Sequence, residues 1–123
     1  MLSFTRLKRS FADAWRGIVH VFRREQNFRI QVVISFLILI AIIFLPLRTW
    51  ETVVLILLVM MVLTMEILNT AFEYFSDLFK PRVHPYARVI KDVMAGAVLL
   101  ASLASVAIGV ALFFPYIAIL VGR

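Results

Sequence analysis

The chain has no cysteine, only four glycines and four prolines, and seven acidic residues among 123. Without cysteine there is no disulfide framework and no thiolate metal site, and the redox compartment stays undetermined. The few glycines matter because phosphate-cradling loops are built from them. No G-x-x-x-x-G-K-[ST] and no G-x-G-x-x-G occurs, which excludes a P-loop or a dinucleotide fingerprint. A nucleotide would have to be held by side chains and a metal. Polar residues in general are scarce. The chain is 63% hydrophobic with a mean hydropathy of +1.01, against a usual apolar share of about 45–50%. There is too little polar surface to cover a water-soluble globule, so much of the chain is expected to face lipid.

The length suggests one domain spanning residues 1–123. Net charge is +6, and its placement carries more information than its sum. Arg6, Lys8, Arg9, Arg16, Arg23, Arg24 and Arg29 lie near the N-terminus, and Lys80, Arg82, Arg88 and Lys91 lie in one later segment. Such a balance is compatible with nucleic acid, but in so apolar a chain the expected reading is membrane topology, with no nucleic-acid partner.

Three apolar segments stand out: residues 30–47, 52–75 and 93–121. Spanning the hydrocarbon takes roughly 20 apolar residues, and lipid offers backbone groups no partners, so all three are expected to be helices. The third is long enough to tilt or to end in an interfacial turn near Pro115. The short "RTWE" loop makes the first two an antiparallel hairpin, and residues 76–92, with Pro81 and Pro85, read as a loop. By the positive-inside rule the N-terminus and the 76–92 loop are expected to face the cytoplasm. Trp50 and Tyr116 suit interfacial anchors. On the third segment Gly96, Ala97, Ala101, Ala104 and Gly109 form a small-residue face suited to close helix packing.

Residues 4–29 lack the apolar core and cleavage site of a signal peptide. Apolar residues at 4, 7, 11, 15, 18 and 22 recur every three or four, with Arg and Lys between them. This predicts an amphipathic helix within residues 1–29, lying in the membrane interface. The expected architecture is thus an all-α membrane protein with one surface helix and three transmembrane helices.

The second apolar segment holds the feature that most needs explaining. "LTMEILNTAFEYFSD", residues 63–77, carries Glu66, Asn69, Glu73 and Asp77. At ~100° per residue these fall within an arc of roughly 80°, so they form one stripe, with Glu66 deepest in the membrane. Acids in a spanning helix are costly and usually mark a site. Glue between helices is the plain alternative, though Asn or Ser serves that purpose at lower cost. Glu25 and the pair Lys91–Asp92 lie on the same membrane face. Carboxylates from separate segments plus a lysine suit Mg²⁺ and a polyphosphate. His20 and His84 lack zinc-site spacing and read first as solvated or interfacial. Two other classes stay open: a small proton-coupled transporter, which would need Glu66 but not Glu25 or Lys91–Asp92, and a structural membrane subunit.

"EILNTAFEYFSD" followed by "IKDVMAGAVLL", with "FTRLKRSFADAWRGI" and "EQNFRI" upstream, resembles the signature of the prokaryotic diacylglycerol kinase family of small membrane lipid kinases. The resemblance covers nearly the whole chain. It implies a homotrimer with sites between subunits at the cytoplasmic membrane edge, where the γ-phosphoryl group of MgATP passes to a lipid hydroxyl. It makes Glu66 the general base, and Glu25 and Glu73 the metal- and ATP-binding acids. Asn69 and Asp77 become supporting polar groups, Lys91 and Asp92 nucleotide contacts, Arg6 a basic residue near lipid and nucleotide, and His84 a loop position near the adenine end. Asp13 and Ala14 stand where proteobacterial members have Tyr-Ser, which puts contacts from that pair in doubt. The patterns "EQNFRI" and "HPYARVIKDVMAGAV" look more like the Gram-positive branch, whose members phosphorylate undecaprenol. The resemblance therefore favours undecaprenol over diacylglycerol as the acceptor.

Overall fold

The computed structural model describes residues 1, 3–78 and 85–122 and is built of helices: α1 (Phe4–Arg24), α2 (Gln26–Phe44), α3 (Thr49–Leu78) and α4 (Tyr86–Val121). The last three are long and apolar enough to cross a membrane. α3 packs mainly against α4 and next against α2, while α1 touches α2 and α3.

The helix ends follow local chemistry. Ser3 caps α1, its Oγ accepting the Arg6 N–H. Glu25 alone interrupts the helical path, with extended backbone (φ −98°, ψ 117°), and serves as the C-cap of α1 and the N-cap of α2. The bend is stabilised from α2: Arg29 Nη1 donates to the carbonyls of Arg23 (2.9 Å) and Phe22 (3.4 Å), satisfying acceptors that the end of α1 leaves open. Phe28 is buried beside it. α2 stops at Phe44 because Pro46 pushes Leu45 out of the helical region, to φ −93° and ψ 142°. α3 starts after Arg48, whose N–H is accepted by Glu51 Oε2 at 2.8 Å, the reach-back half of a capping box.

Several boundaries move from their expected places. The α2–α3 connection is Leu45–Arg48, so Trp50 and Glu51 sit on α3 and not in a loop. The 76–92 connection is mostly helical: α3 runs to Leu78 and α4 starts at Tyr86, which puts Asp77, Arg88, Lys91 and Asp92 on helices. No turn forms at Pro115, which lies inside α4; a membrane helix tolerates proline where neighbouring groups re-satisfy the freed carbonyl. Tyr116 donates its hydroxyl to Glu51 instead of standing alone as an anchor. A Cβ added at Gly96 or Gly109 of α4 would find nothing within 4 Å, so packing within the chain does not require glycine at either position.

Burial is inverted relative to a water-soluble fold. Among the described residues the buried apolar side chains are Val21, Phe28, Leu55 and Ala87, and they are matched by four buried polar ones, Glu51, Glu66, Thr70 and Ser76. Large apolar side chains such as Leu100 and Phe114 are exposed on the outside. Helix lengths show what lies beyond the bilayer core. α2, with 19 residues, is ~28 Å long and matches a hydrocarbon layer of about 30 Å. α3 and α4, with 30 and 36 residues, run to ~45 and ~54 Å and must project from it. The C-terminal end of α3 and the start of α4 share the membrane face that carries α1, and the chain's polar groups gather there.

Candidate functional site

Glu66 is the centre of this end of the molecule. Its side chain is 3% exposed, although it sits in an apolar helix. Its hydrogen-bond partner among the described residues is Gln31 of α2, whose Nε2 lies 3.4 Å from Oε2, at the outer limit of a hydrogen bond. Glu25 and Glu73 lie close enough for their charges to act on it. Three carboxylates from α3 and from the α1–α2 bend are thereby gathered into one region.

The stripe seen in the sequence is present and graded in burial. Glu66, Thr70 and Ser76 are buried, Asn69 and Glu73 are half-buried, and Asp77 is exposed. Thr70 satisfies itself by donating Oγ1–H to the Glu66 carbonyl at 3.0 Å. Asn69 Oδ1, Gln31 Oε1 and Ser76 Oγ are buried without a partner. Native interiors rarely leave such atoms unpaired, and two of the three flank Glu66. Unmet acceptors beside acids leave this region able to accept hydrogen-bond donors and cations.

One turn beyond Glu73, Asp77 pairs with Lys91 of α4 at 3.8 Å. Both side chains are substantially exposed, so the pair is a weak tether and leaves the ammonium accessible. Asp92, the next residue, is also exposed. Arg6 is not brought to this cluster within one chain. It lies in the first turn of α1, 19 residues before Glu25, or ~28 Å along the helix. His84 lies outside the described residues. Asp13, at the position of the expected departure, forms an ion pair with Arg16 on the exposed side of α1.

Sequence reasoning passed over two participants. Gln31 looked like the polar flank of an apolar run. Its spacing of four from Ser35 was the available signal, and the two are linked, since Ser35 Oγ donates to the Gln31 carbonyl at 2.6 Å. His20, expected to be solvated or interfacial, is exposed, and its Nε2 is in addition hydrogen-bonded to the Tyr74 hydroxyl at 2.9 Å.

An apolar groove of about 320 Å³ lies between α2, α3 and α4. Gln31, the partner of Glu66, is among its lining residues, with Leu55, Val59, Val106 and Phe113 along its walls. A cluster of acids and a lysine on the polar side, an apolar path on the other and a buried carboxylate between them can bring a water-soluble phosphate donor and an apolar alcohol together.

Residues 12–113 match the family described as prokaryotic diacylglycerol kinase. The chain belongs to that family. It is a membrane-embedded lipid kinase. Over 110 residues it is 36% identical to the undecaprenol kinase of Bacillus subtilis, covering 89% of each chain. Over 107 residues it is 38% identical to the diacylglycerol kinase of Synechocystis, covering 86% of this chain and 61% of that one. Both likenesses extend over nearly the full set of helices, so they include the region around Glu66 as well as the apolar spans.

Proposed function

We propose that this kinase transfers the γ-phosphoryl group of ATP to the hydroxyl of undecaprenol, giving undecaprenyl phosphate, with Glu66 as the general base. The burial of Glu66 between an acidic cluster and an apolar groove carries this reading. The acceptor hydroxyl would reach Glu66 from the apolar side, and the phosphates would lie against Glu73, Lys91 and Glu25 on the polar side. As the lipid oxygen bonds to the γ-phosphorus and the bond to the ADP oxygen breaks, the hydroxyl proton passes to the Glu66 carboxylate. Such transfer needs mostly positioning and electrostatics, which a small helical frame can supply. Lys91 neutralises phosphate charge and Asp92 contacts the nucleotide.

The residues also fit a magnesium ion. Mg²⁺ is held by one or two carboxylates together with substrate phosphates. Glu25 and Glu73 are the carboxylates whose charges act on Glu66, and Asn69 Oδ1 is a buried acceptor without a donor. Among the described residues no three acids or histidines form a ready-made metal site, so the phosphates would supply the remaining ligands. Bound there, the ion would screen the phosphate charge. Glu25 and Glu73 would hold it, and Asn69 would orient the donors around it.

Undecaprenol is favoured over diacylglycerol because the likeness to the Bacillus subtilis undecaprenol kinase covers 89% of that protein, whereas the Synechocystis diacylglycerol kinase is matched over 61% of its length. The basic segments support an orientation with α1 and the α3–α4 connection in the cytoplasm. The exposed apolar surface and the open groove support a homotrimer with sites between subunits, in which Arg6 would come from a neighbouring copy. Purified protein assayed with MgATP and each lipid alcohol in one detergent tests the substrate. Faster turnover, per unit concentration, of diacylglycerol than of undecaprenol would overturn the assignment.

A further inference from the structure

α1 is attached to the bundle at one end only. It is 21 residues long, ~31 Å, and its apolar residues are more exposed before its last two turns than within them: Phe4 85%, Leu7 54%, Phe11 69% and Trp15 67%, then Ile18 41% and Phe22 42%, with Val21 buried. The N-terminal two-thirds therefore face the surroundings, and the hold on the bundle comes from the last two turns. Two polar contacts there reach α3, both through Tyr74. The Tyr74 hydroxyl is hydrogen-bonded to His20 Nε2 at 2.9 Å, and the two rings lie 5.7 Å apart at a 58° tilt. The Arg24 guanidinium stands 5.9 Å from the centre of the Tyr74 ring, within cation–π range. His20 and Arg24 are four residues apart, hence on one face of α1. Arg24 immediately precedes Glu25, and Tyr74 immediately follows Glu73.

We propose that Tyr74 is a positioning residue: gripped by His20 and Arg24, it docks the end of α1 on α3 and so sets Glu25 against Glu73 and Glu66. Glu25 cannot be placed by its own segment. It is the single extended residue between two helices, and its side chain caps neither of them. Its direction is inherited from the ends of α1 and α2. Arg29 fixes the bend itself, bonding back to carbonyls of α1. Tyr74 ties α1 to α3. This inference rests on the role given to Glu25 above.

The cysteine-free sequence allows a test that does not depend on activity. Spin labels at Arg9→Cys on α1 and Leu57→Cys on α3, diluted with unlabelled chains, report the spread of the α1–α3 distance. Tyr74→Ala and His20→Ala should broaden that distribution, and an unchanged width overturns the latch whatever the kinase does. In parallel, Tyr74→Ala should raise the apparent KM for MgATP about fivefold, and Tyr74→Phe about twofold, the sizes that a lost hydrogen bond and a lost cation–π contact allow. The KM for the lipid alcohol should stay within about twofold, because the groove is untouched, and a purely structural role would move both constants together. The double variant His20→Ala/Tyr74→Phe should be no worse than the poorer single one, since both remove one bond. Glu25→Gln separates the possible failures. If it raises the MgATP KM while Tyr74→Ala does not, the positioning inference is wrong and the role of Glu25 stands. If Glu25→Gln is silent while the distance distribution broadens, the role of Glu25 is wrong and the inference falls with it.

Discussion

Helix α3 carries two buried glutamates, one in its first turn and one just past its middle, and the surroundings treat them in opposite ways. Glu51 accepts the Arg48 N–H at 2.8 Å and the hydroxyl of Tyr116 from α4. It completes the cap of its own helix and pins that helix to its neighbour, so its acceptors are spent on the fold. Glu66, equally buried, has one long contact from an amide at 3.4 Å, and unpaired oxygens of Asn69 and Gln31 beside it. Burying a carboxylate is costly unless donors satisfy it. A helix that meets this cost fully at one glutamate and only in part at another sets the proposed base apart from a structural acid. Composition does not make that distinction, because both residues are glutamates on an apolar helix.

The comparison fails most visibly if the two residues respond alike to substitution. Glu66→Gln should lower turnover by about 10²-fold or more, the lower range for a lost general base. Its thermal midpoint in detergent should hold or rise, because an under-solvated charge is removed. Turnover within a few-fold of the parent would show that Glu66 is not the base. Glu51→Ala should do the reverse. It leaves the Tyr116 hydroxyl and the first turn of α3 without an acceptor, so the midpoint should drop by several degrees while activity per folded molecule stays within about twofold. Tyr116→Phe should reproduce part of that loss. If Glu51→Ala abolishes activity without a change in melting, the far end of α3 is coupled to the site in a way that this contrast does not contain.

Much of this was legible in the sequence and some was not, for physical reasons. The three spans are set by composition over twenty or more residues, a signal that no single contact can reverse, and the Glu66–Asp77 stripe is set by helical period alone. Helix ends are set by local details that a hydropathy window blurs. Glu51 was read as part of a loop because "RTWE" looks polar, yet its reach-back to Arg48 is what starts the helix there. An interfacial turn near Pro115 was one of two expectations, a long tilted helix being the other, and α4 continues through the proline. His20–Tyr74 and Gln31–Glu66 join residues 54 and 35 positions apart. Such pairs leave no periodic trace in one sequence and are visible only when the helices are placed side by side.

Gln31 offers a smaller and sharper probe of the Glu66 end. Gln31→Leu removes the amide that touches Glu66 and lengthens the apolar wall of the groove. A 3.4 Å contact is weak, so turnover should fall by roughly three- to tenfold, less than a well-made hydrogen bond to a charge would allow. The KM for the lipid alcohol should change more than that for MgATP, because Gln31 stands on the lipid side. A change confined to MgATP would place Gln31 with the nucleotide and reverse the polarity assigned to the site.

The smallest effect is expected where the polar stripe reaches water. Asp77 and Lys91 are 3.8 Å apart with side chains 67% and 46% exposed, and an exposed pair of that kind contributes about 1 kcal/mol at most. Asp77→Asn should leave the thermal midpoint nearly unchanged. It frees Lys91 from a competing carboxylate, so the lysine becomes both more mobile and more available to phosphate, and these two consequences oppose each other in the KM for MgATP. Salt separates them. If Asp77 acts only as a tether, the difference between Asp77→Asn and the parent should shrink as ionic strength rises and the exposed pair is screened. If the difference persists in high salt, with a loss of more than about tenfold at saturating MgATP, Asp77 contacts the nucleotide or its metal directly, and the acidic site extends a full turn further from the membrane than Glu73.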